Sequence, residues 1–277
     1  MNRYDWLHDP IARPPAGAYQ KSGQASGADQ ASWRWRLSVT AAATAALALW
    51  LGATTAHAQS ANRACDGLLF STSEDFTTRG PEPPDGNPIV SDGDLLAFNP
   101  GSGVTTICAR NQHLLARYDI QGVDLGLDAV ATAGAKREVT AFSTELDSIH
   151  GQFTAGDLLF RSAIADIDGM IIPNVALIAQ TKMRHRYDIG LDAVSFTGKS
   201  EAVIQALIVI AQTGRDDLLK QSVLLAEILT KFQVDILFST EGTAPSQTQP
   251  AFIDGDLLSA ATGAIFRANS ALLPTLP

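Results

Sequence analysis

Beyond residue 66 the apolar positions fall in short runs rather than at helical spacing. LLFST (68–72), VTAFST (139–144) and DILFST (235–240) are β-branched and aromatic, and each ends in polar turn residues. DLLAF (94–98) and DLLFR (157–161) follow a Gly-Asp turn, while GVTTICA (103–109), GMIIP (169–173) and GAIF (263–266) begin at a glycine. LDAVAT (127–132) and LDAVSF (191–196) are again short apolar runs closing on small residues. Runs of this length between Gly, Asp, Pro and Ser turns predict β-strands, four to a unit.

The runs recur in one order. Gly-Asp-Leu-Leu stands at 93–96, 156–159 and 255–258, with Phe-Ser-Thr upstream of each at 70–72, 142–144 and 238–240. Downstream is an Asn followed by an apolar pair: Asn111 with Leu114 and Leu115, Asn174 with Leu177 and Ile178, Asn269 with Leu272 and Leu273. The Asp-to-Asn interval is 17, 17 and 13 residues. Arg-Tyr-Asp-Ile and Gly-Leu-Asp-Ala-Val then follow the first two copies, and QGVDL (121–125) reads as an insertion between them in the first. Periods of this size indicate stacked or ringed supersecondary units. The expected fold is all-β: four-stranded units in a β-propeller-like arrangement, with a curved open stack as the structural alternative. In this reading GLDAV closes each unit.

The segment 199–235 breaks the period. One reading makes it a degenerate fourth unit, with AVIQALIVIAQTG (202–214) in the place of a strand. The rival is a helix over about 216–232, capped by Asp216, with Leu218, Leu225, Leu229 and Phe232 on one face.

Residues 37–56 form an apolar, Ala-rich run behind Arg34 and Arg36, and Ala-His-Ala follows at 56–58. A basic flank, an apolar core and a small-residue exit predict a secretory signal peptide, so residues 1–58 are set apart as tail and leader and 59–277 as one β-repeat domain. The expected location is periplasmic or secreted, with no membrane association after cleavage. Residues 59–277 carry 26 acidic and 15 basic side chains, a net charge of −11, which disfavours nucleic acid and anionic membrane as partners. Cys65 and Cys108, an even pair in an exported chain, predict one disulfide.

The order LLFST, SDGDLL, RYDIQGVDLGLDAV resembles a loosely defined group of secreted bacterial β-repeat, propeller-like proteins. In that group strands ending Phe-Ser-x-Asp alternate with Asp-x-Asp turns and an Asp-Ile/Leu-Asp-Ala strand. The resemblance covers most of 66–277. It implies fold and location and no particular activity. The Pro-Glu-Pro and membrane tail of cell-surface sorting is not seen at the C-terminal end.

The candidate chemistry lies in the recurrent acids. Asp94, Asp157 and Asp256 occupy the Gly-Asp turns, with Asp92 and Asp254 before two of them. Loop carboxylates of this kind offer oxygen ligands to Ca²⁺, but Asp in a turn also bonds its own backbone. That second role explains why the acid recurs once per unit. Asp128 and Asp192 (GLDAV), Asp119 and Asp188 (RYDI), and Glu145 and Glu241 (after Phe-Ser-Thr) recur likewise. Arg117–Asp119 and Arg186–Asp188 read as same-face ion pairs, with Tyr118 and Tyr187 directed to the core. His113, His150 and His185 form no metal-binding pair, and no nucleophile elbow, phosphate loop or dinucleotide fingerprint is present. The longest turn-rich loop, 73–94, is the first place to seek a site, beside Asp92 and Asp94. The expected function is non-catalytic binding of a protein or glycan. The alternatives are a carboxylate-dependent hydrolase or lyase and a structural envelope protein.

Overall fold

The computed structural model describes Cys65, residues 67–181, Met183, residues 187–244 and residues 250–272. The expected leader, residues 1–58, lies outside them, as do Arg186 and His185.

Thirteen strands are described: β1 (Leu68–Phe70), β2 (Phe76–Thr77), β3 (Ile89–Val90), β4 (Leu95–Asn99), β5 (Val104–Ala109), β6 (Val130–Ala133), β7 (Val139–Phe142), β8 (Leu158–Ser162), β9 (Ile171–Ile172), β10 (Ala193–Thr197), β11 (Asp235–Ser239), β12 (Leu257–Ser259) and β13 (Ile265–Arg267). They form three antiparallel sheets in the orders β1-β4-β5, β6-β7-β8-β9 and β10-β11-β12-β13, plus a β2-β3 hairpin. Single turns of helix, α1 (Asn111–Leu114), α2 (Asn174–Leu177) and α6 (Asn269–Leu272), start at the three recurrent asparagines.

The repeat governs which way each apolar residue faces. Phe142 of β7 and Leu159 of β8 enter an apolar core with Leu95, Leu114, Leu115 and Tyr118, on the side of the first sheet. Their counterparts Phe238 and Leu258 enter a second core with Leu158, Phe160 and Ala141, on the side of the second sheet. Within Gly-Asp-Leu-Leu, therefore, the first leucine faces the following unit and the second the preceding one, as alternation along a strand requires. Adjacent units are also clasped by a side chain. The Ser71 hydroxyl donates to the Leu127 carbonyl (2.8 Å) and the Ser143 hydroxyl to that of Leu191 (3.0 Å).

Two sequence expectations need correction here. GLDAV opens the next sheet rather than closing its own. Val130 pairs with Phe142, and Val194 with Phe238. The reason is that the glycine turn before it carries the chain across to the neighbouring unit. The segment 199–235 is not a degenerate unit but three helices inserted between β10 and β11: α3 (Ser200–Thr213), α4 (Arg215–Lys220) and α5 (Leu224–Phe232). Val203, Ala206, Leu207 and Ile210 of α3 are buried at i, i+3, i+4 and i+7, which is helix periodicity and excludes a strand. The rival reading is right in kind, and Leu218, Leu225 and Leu229 are buried. The helix is nevertheless divided: α4 ends at Lys220 and α5 starts at Leu224, and Asp216 lies in the first turn of α4 without capping it. The chain is rich in antiparallel strands but carries a substantial helical insertion, so "all-β" describes its three sheets and not the whole.

Candidate functional site

The three Gly-Asp corners share one set of bonds. The carboxylate of Asp94 accepts the Asn111 N–H (2.9 Å) and the Ser91 N–H (3.2 Å). Asp157 accepts from Asn174 (2.8 Å) and Thr154 (3.2 Å), and Asp256 from Asn269 (2.8 Å) and Ile253 (3.0 Å). Each aspartate is buried and closes its turn, while its partner asparagine starts a helical turn. The side-chain amides return the bond: Asn111 to the Gly93 carbonyl (3.2 Å), Asn174 to that of Gly156 (3.1 Å) and Asn269 to that of Asp254 (3.1 Å). Both oxygens of Asp94, Asp157 and Asp256 are thus engaged by backbone donors. Of the other two acids, Asp92 donates its N–H to Asp75 and Asp254 its N–H to Thr243. Among the described residues no three His, Cys, Asp or Glu side chains meet in an arrangement suited to a metal ion.

The first corner has an additional residue that the sequence reading missed. Arg110 is buried, and its guanidinium binds Asp85 through Nε and Nη2 (2.5 and 2.9 Å), the carbonyls of Ile89 (2.5 Å) and Asn87 (2.6 Å), and Asp94 (2.7 Å). It straps the 73–94 loop to the corner. Bonding to this guanidinium holds the Asp85 carboxyl down to about 2. In the second corner Arg215, delivered by the helical insertion, reaches Asp157 only at 3.5 Å. Burial dominates there and raises the Asp157 carboxyl.

The two RYDI segments are not equivalent in space. Asp188 accepts the Gly190 N–H (2.9 Å), and the same bond upstream is made by Asp124 to Gly126 (3.0 Å), not by Asp119. A Cβ on Gly93 would strike Asp124 and Asn111, and one on Gly156 would strike Asp188 and Asn174. The extra residues of the first copy therefore lie before Asp124. Tyr118 is buried and takes the Phe160 N–H on its hydroxyl (2.7 Å), whereas Tyr187 is 47% exposed. Arg117 pairs with Asp168 rather than Asp119, because Asp119 ends its helical turn in the left-handed region (φ 53°).

This displacement changes the surroundings of Asn111. Asn174 accepts the Ile189 N–H (3.3 Å) and donates to the Gly190 carbonyl (3.1 Å) as well as to Gly156. Asn111 makes the Gly93 bond alone with its side chain, and its Oδ1 is buried without a donor. A cavity of about 250 Å³ opens here, lined by Asn111, Arg110, Asp94, Ile89, Val123 and Asp124 among others.

A row of acids forms where the sheets meet. Gly126 and Gly190, both at positive φ (69° and 76°), leave room for Glu145 and Glu241; a Cβ on Gly126 would lie 2.7 Å from the Glu145 Cγ. Burial raises the Asp128 carboxyl most. Glu241 within hydrogen-bonding reach, then Asp192 and Glu145, raise it further, to about 7. One Asp128 oxygen is buried with no hydrogen-bond donor among the described residues. Burial followed by Asp92, Glu241 and Asp124 raises Glu145, and burial followed by Asp124 and Asp75 raises Asp92. Asp128 and Asp192 do converge, but Asp192, Glu145 and Glu241 are exposed rather than enclosed. His113 and His150 are exposed.

Comparison with protein-family models, curated proteins and solved structures finds no match.

Proposed function

We infer that this chain is an exported, non-catalytic β-repeat protein, propeller-like in the succession of its sheets, that binds a protein or glycan through the loops of its first corner. The carrying observation is the contrast between Asn111 and Asn174. The same residue in the same clamp has spare hydrogen-bonding capacity only in the first of these two copies, where the longest loop is strapped by Arg110 and a cavity opens. The N–H groups of Arg110 are taken up within the protein, so the cavity offers the exposed Asp124 carboxylate as acceptor beside the apolar Ile89 and Val123. That chemistry suits a guest bearing hydroxyl or amine donors. A bonded Cys65–Cys108 pair, with Cα atoms 4.9 Å apart, is compatible with an oxidising location. Among the described residues no helix is long and apolar enough to cross a membrane.

The test is a thermal-shift screen with glycans and basic peptides against the protein and its Val123→Trp variant. Val123 is partly exposed, so tryptophan fills the cavity without entering either core. A ligand at 100 times its Kd stabilises by about 2.7 kcal/mol. The reading expects a shift that the variant loses; a shift the variant keeps places the ligand elsewhere.

A second reading, a carboxylate-dependent hydrolase or lyase, is favoured by Asp128, whose carboxyl sits near neutral pH opposite Glu241. Turnover of a glycoside panel with a bell-shaped pH profile, abolished in Asp128→Asn, would establish it in place of the first.

A further inference from the structure

The second and third sheets begin with a GLDAV strand, β6 and β10, laid against the Phe-Ser-Thr strand. The first sheet has three strands, and among the described residues no strand pairs with β1 on the edge away from β4; Arg137, from the turn after β6, reaches the Gly67 carbonyl just before it (2.9 Å). The burial of matched residues records the difference. Phe142, Ser143, Thr144, Phe238 and Thr240 are wholly buried, while Phe70, Ser71 and Thr72 are partly exposed and Leu68 is 67% exposed. The backbone shows it too. The Asp128 N–H donates to the Ser143 carbonyl (3.2 Å) and the Ser143 N–H to the Ala129 carbonyl (3.0 Å). Asp192 makes the first of these bonds to Ser239 (3.1 Å), and among the described residues Ser71 makes neither. Nor does β1, Leu-Leu-Phe, carry the lysine, proline or bulge with which exposed edges are ordinarily protected.

We propose that the free edge of β1 is a docking site for an extended segment of Gly-Leu-Asp-Ala-Val pattern carried by a partner protein. This site is separate from the first-corner cavity and does not depend on it. The occupant is defined by the two copies this chain already contains. It runs antiparallel to β1, with its valine opposite Phe70, as Val130 is opposite Phe142 and Val194 opposite Phe238. Its aspartate N–H donates to the Ser71 carbonyl, and the Ser71 N–H donates to the carbonyl of its alanine. Strand addition of this kind draws affinity from main-chain bonds and specificity from alternate side chains.

The experiment titrates a fluorescein-labelled peptide with the sequence of Asp188–Thr197 into the purified protein and follows fluorescence anisotropy, with a peptide N-methylated at the Gly-Leu-Asp aspartate as control. Saturable binding, weakened at least tenfold by the methyl group, together with new hydrogen-exchange protection at the Ser71 amide, is the expected result. No binding, equal binding of the methylated peptide, or protection confined to another sheet overturns the proposal. So does a self-associated protein whose dimer the peptide merely dissociates, since the occupant is then a second copy.

Discussion

Asp128 shows how much a single residue's role depends on its neighbours. Its carboxyl rises to about 7 through burial and through Glu241 opposite it, against about 3.9 in an unfolded chain. Between those values the folded protein holds a proton that the unfolded chain has released. The folded state is therefore favoured at the acid end, and this group's contribution fades as pH rises through 7. The Asp128→Asn variant removes the charge that costs stability. Its melting temperature should match the parent's near pH 4 and exceed it by several degrees at pH 8, in paired thermal melts across that range. An equal gain at both ends would mean that Asp128 is not protonated in the folded state. In the sequence Asp128 was legible as a recurrent acid, but its encounter with Glu241 was not, because nothing local links a residue just before β6 to one just after β11.

At the scale of elements, the corners were the most legible part. Aspartate in a turn and asparagine at the start of a helical turn satisfy backbone donors within one unit, and three copies agree on it. The 73–94 segment reads in the sequence as a turn-rich loop, but it holds the β2-β3 hairpin, and its strap is not legible either. Arg110 holds it by five bonds, and an arginine before an asparagine carries no signal for that. Removing one partner of a buried ion pair costs about 3–5 kcal/mol. Arg110→Met should accordingly lower unfolding stability by about 3 kcal/mol in urea, discounting the more exposed Asp85. It should also open the loop to limited proteolysis at Arg79. Arg110→Lys should not rescue either effect, since an ammonium cannot form the two-pronged contact with Asp85. The helical insertion was half legible. The i, i+3, i+4, i+7 spacing of α3 is present in the sequence, but AVIQALIVIAQTG is so apolar that a strand reading competes until the buried face is known.

For the whole molecule, the Cys65–Cys108 bond ties the residues just before β1 to β5, across a separation of 43 residues. Closing a loop of that size is worth about 3–4 kcal/mol in the chain-entropy model. The Cys65→Ser/Cys108→Ser double variant should lose a comparable amount in urea unfolding, and the parent should lose it on adding a reductant. A loss confined to the first sheet, read as early exchange of β1, β4 and β5 amides before those of β6–β13, would show that the units unfold separately. Coincident exchange would show that the two shared apolar cores make them one cooperative body.

By itself, the sequence determined the strands, the Gly-Asp-Leu-Leu corners and the existence of a repeat, because each rests on bonds and alternation within a few residues or within one unit. Only the tertiary structure decided four further matters. It assigned GLDAV to the following sheet, put Asp124 rather than Asp119 in the place of Asp188, set Asp128 against Glu241, and gave β1, among the described residues, no strand on the edge away from β4. These are matters of which surfaces meet, and burial and Coulomb interaction depend on distance in space, which a repeated tetrapeptide such as RYDI does not encode.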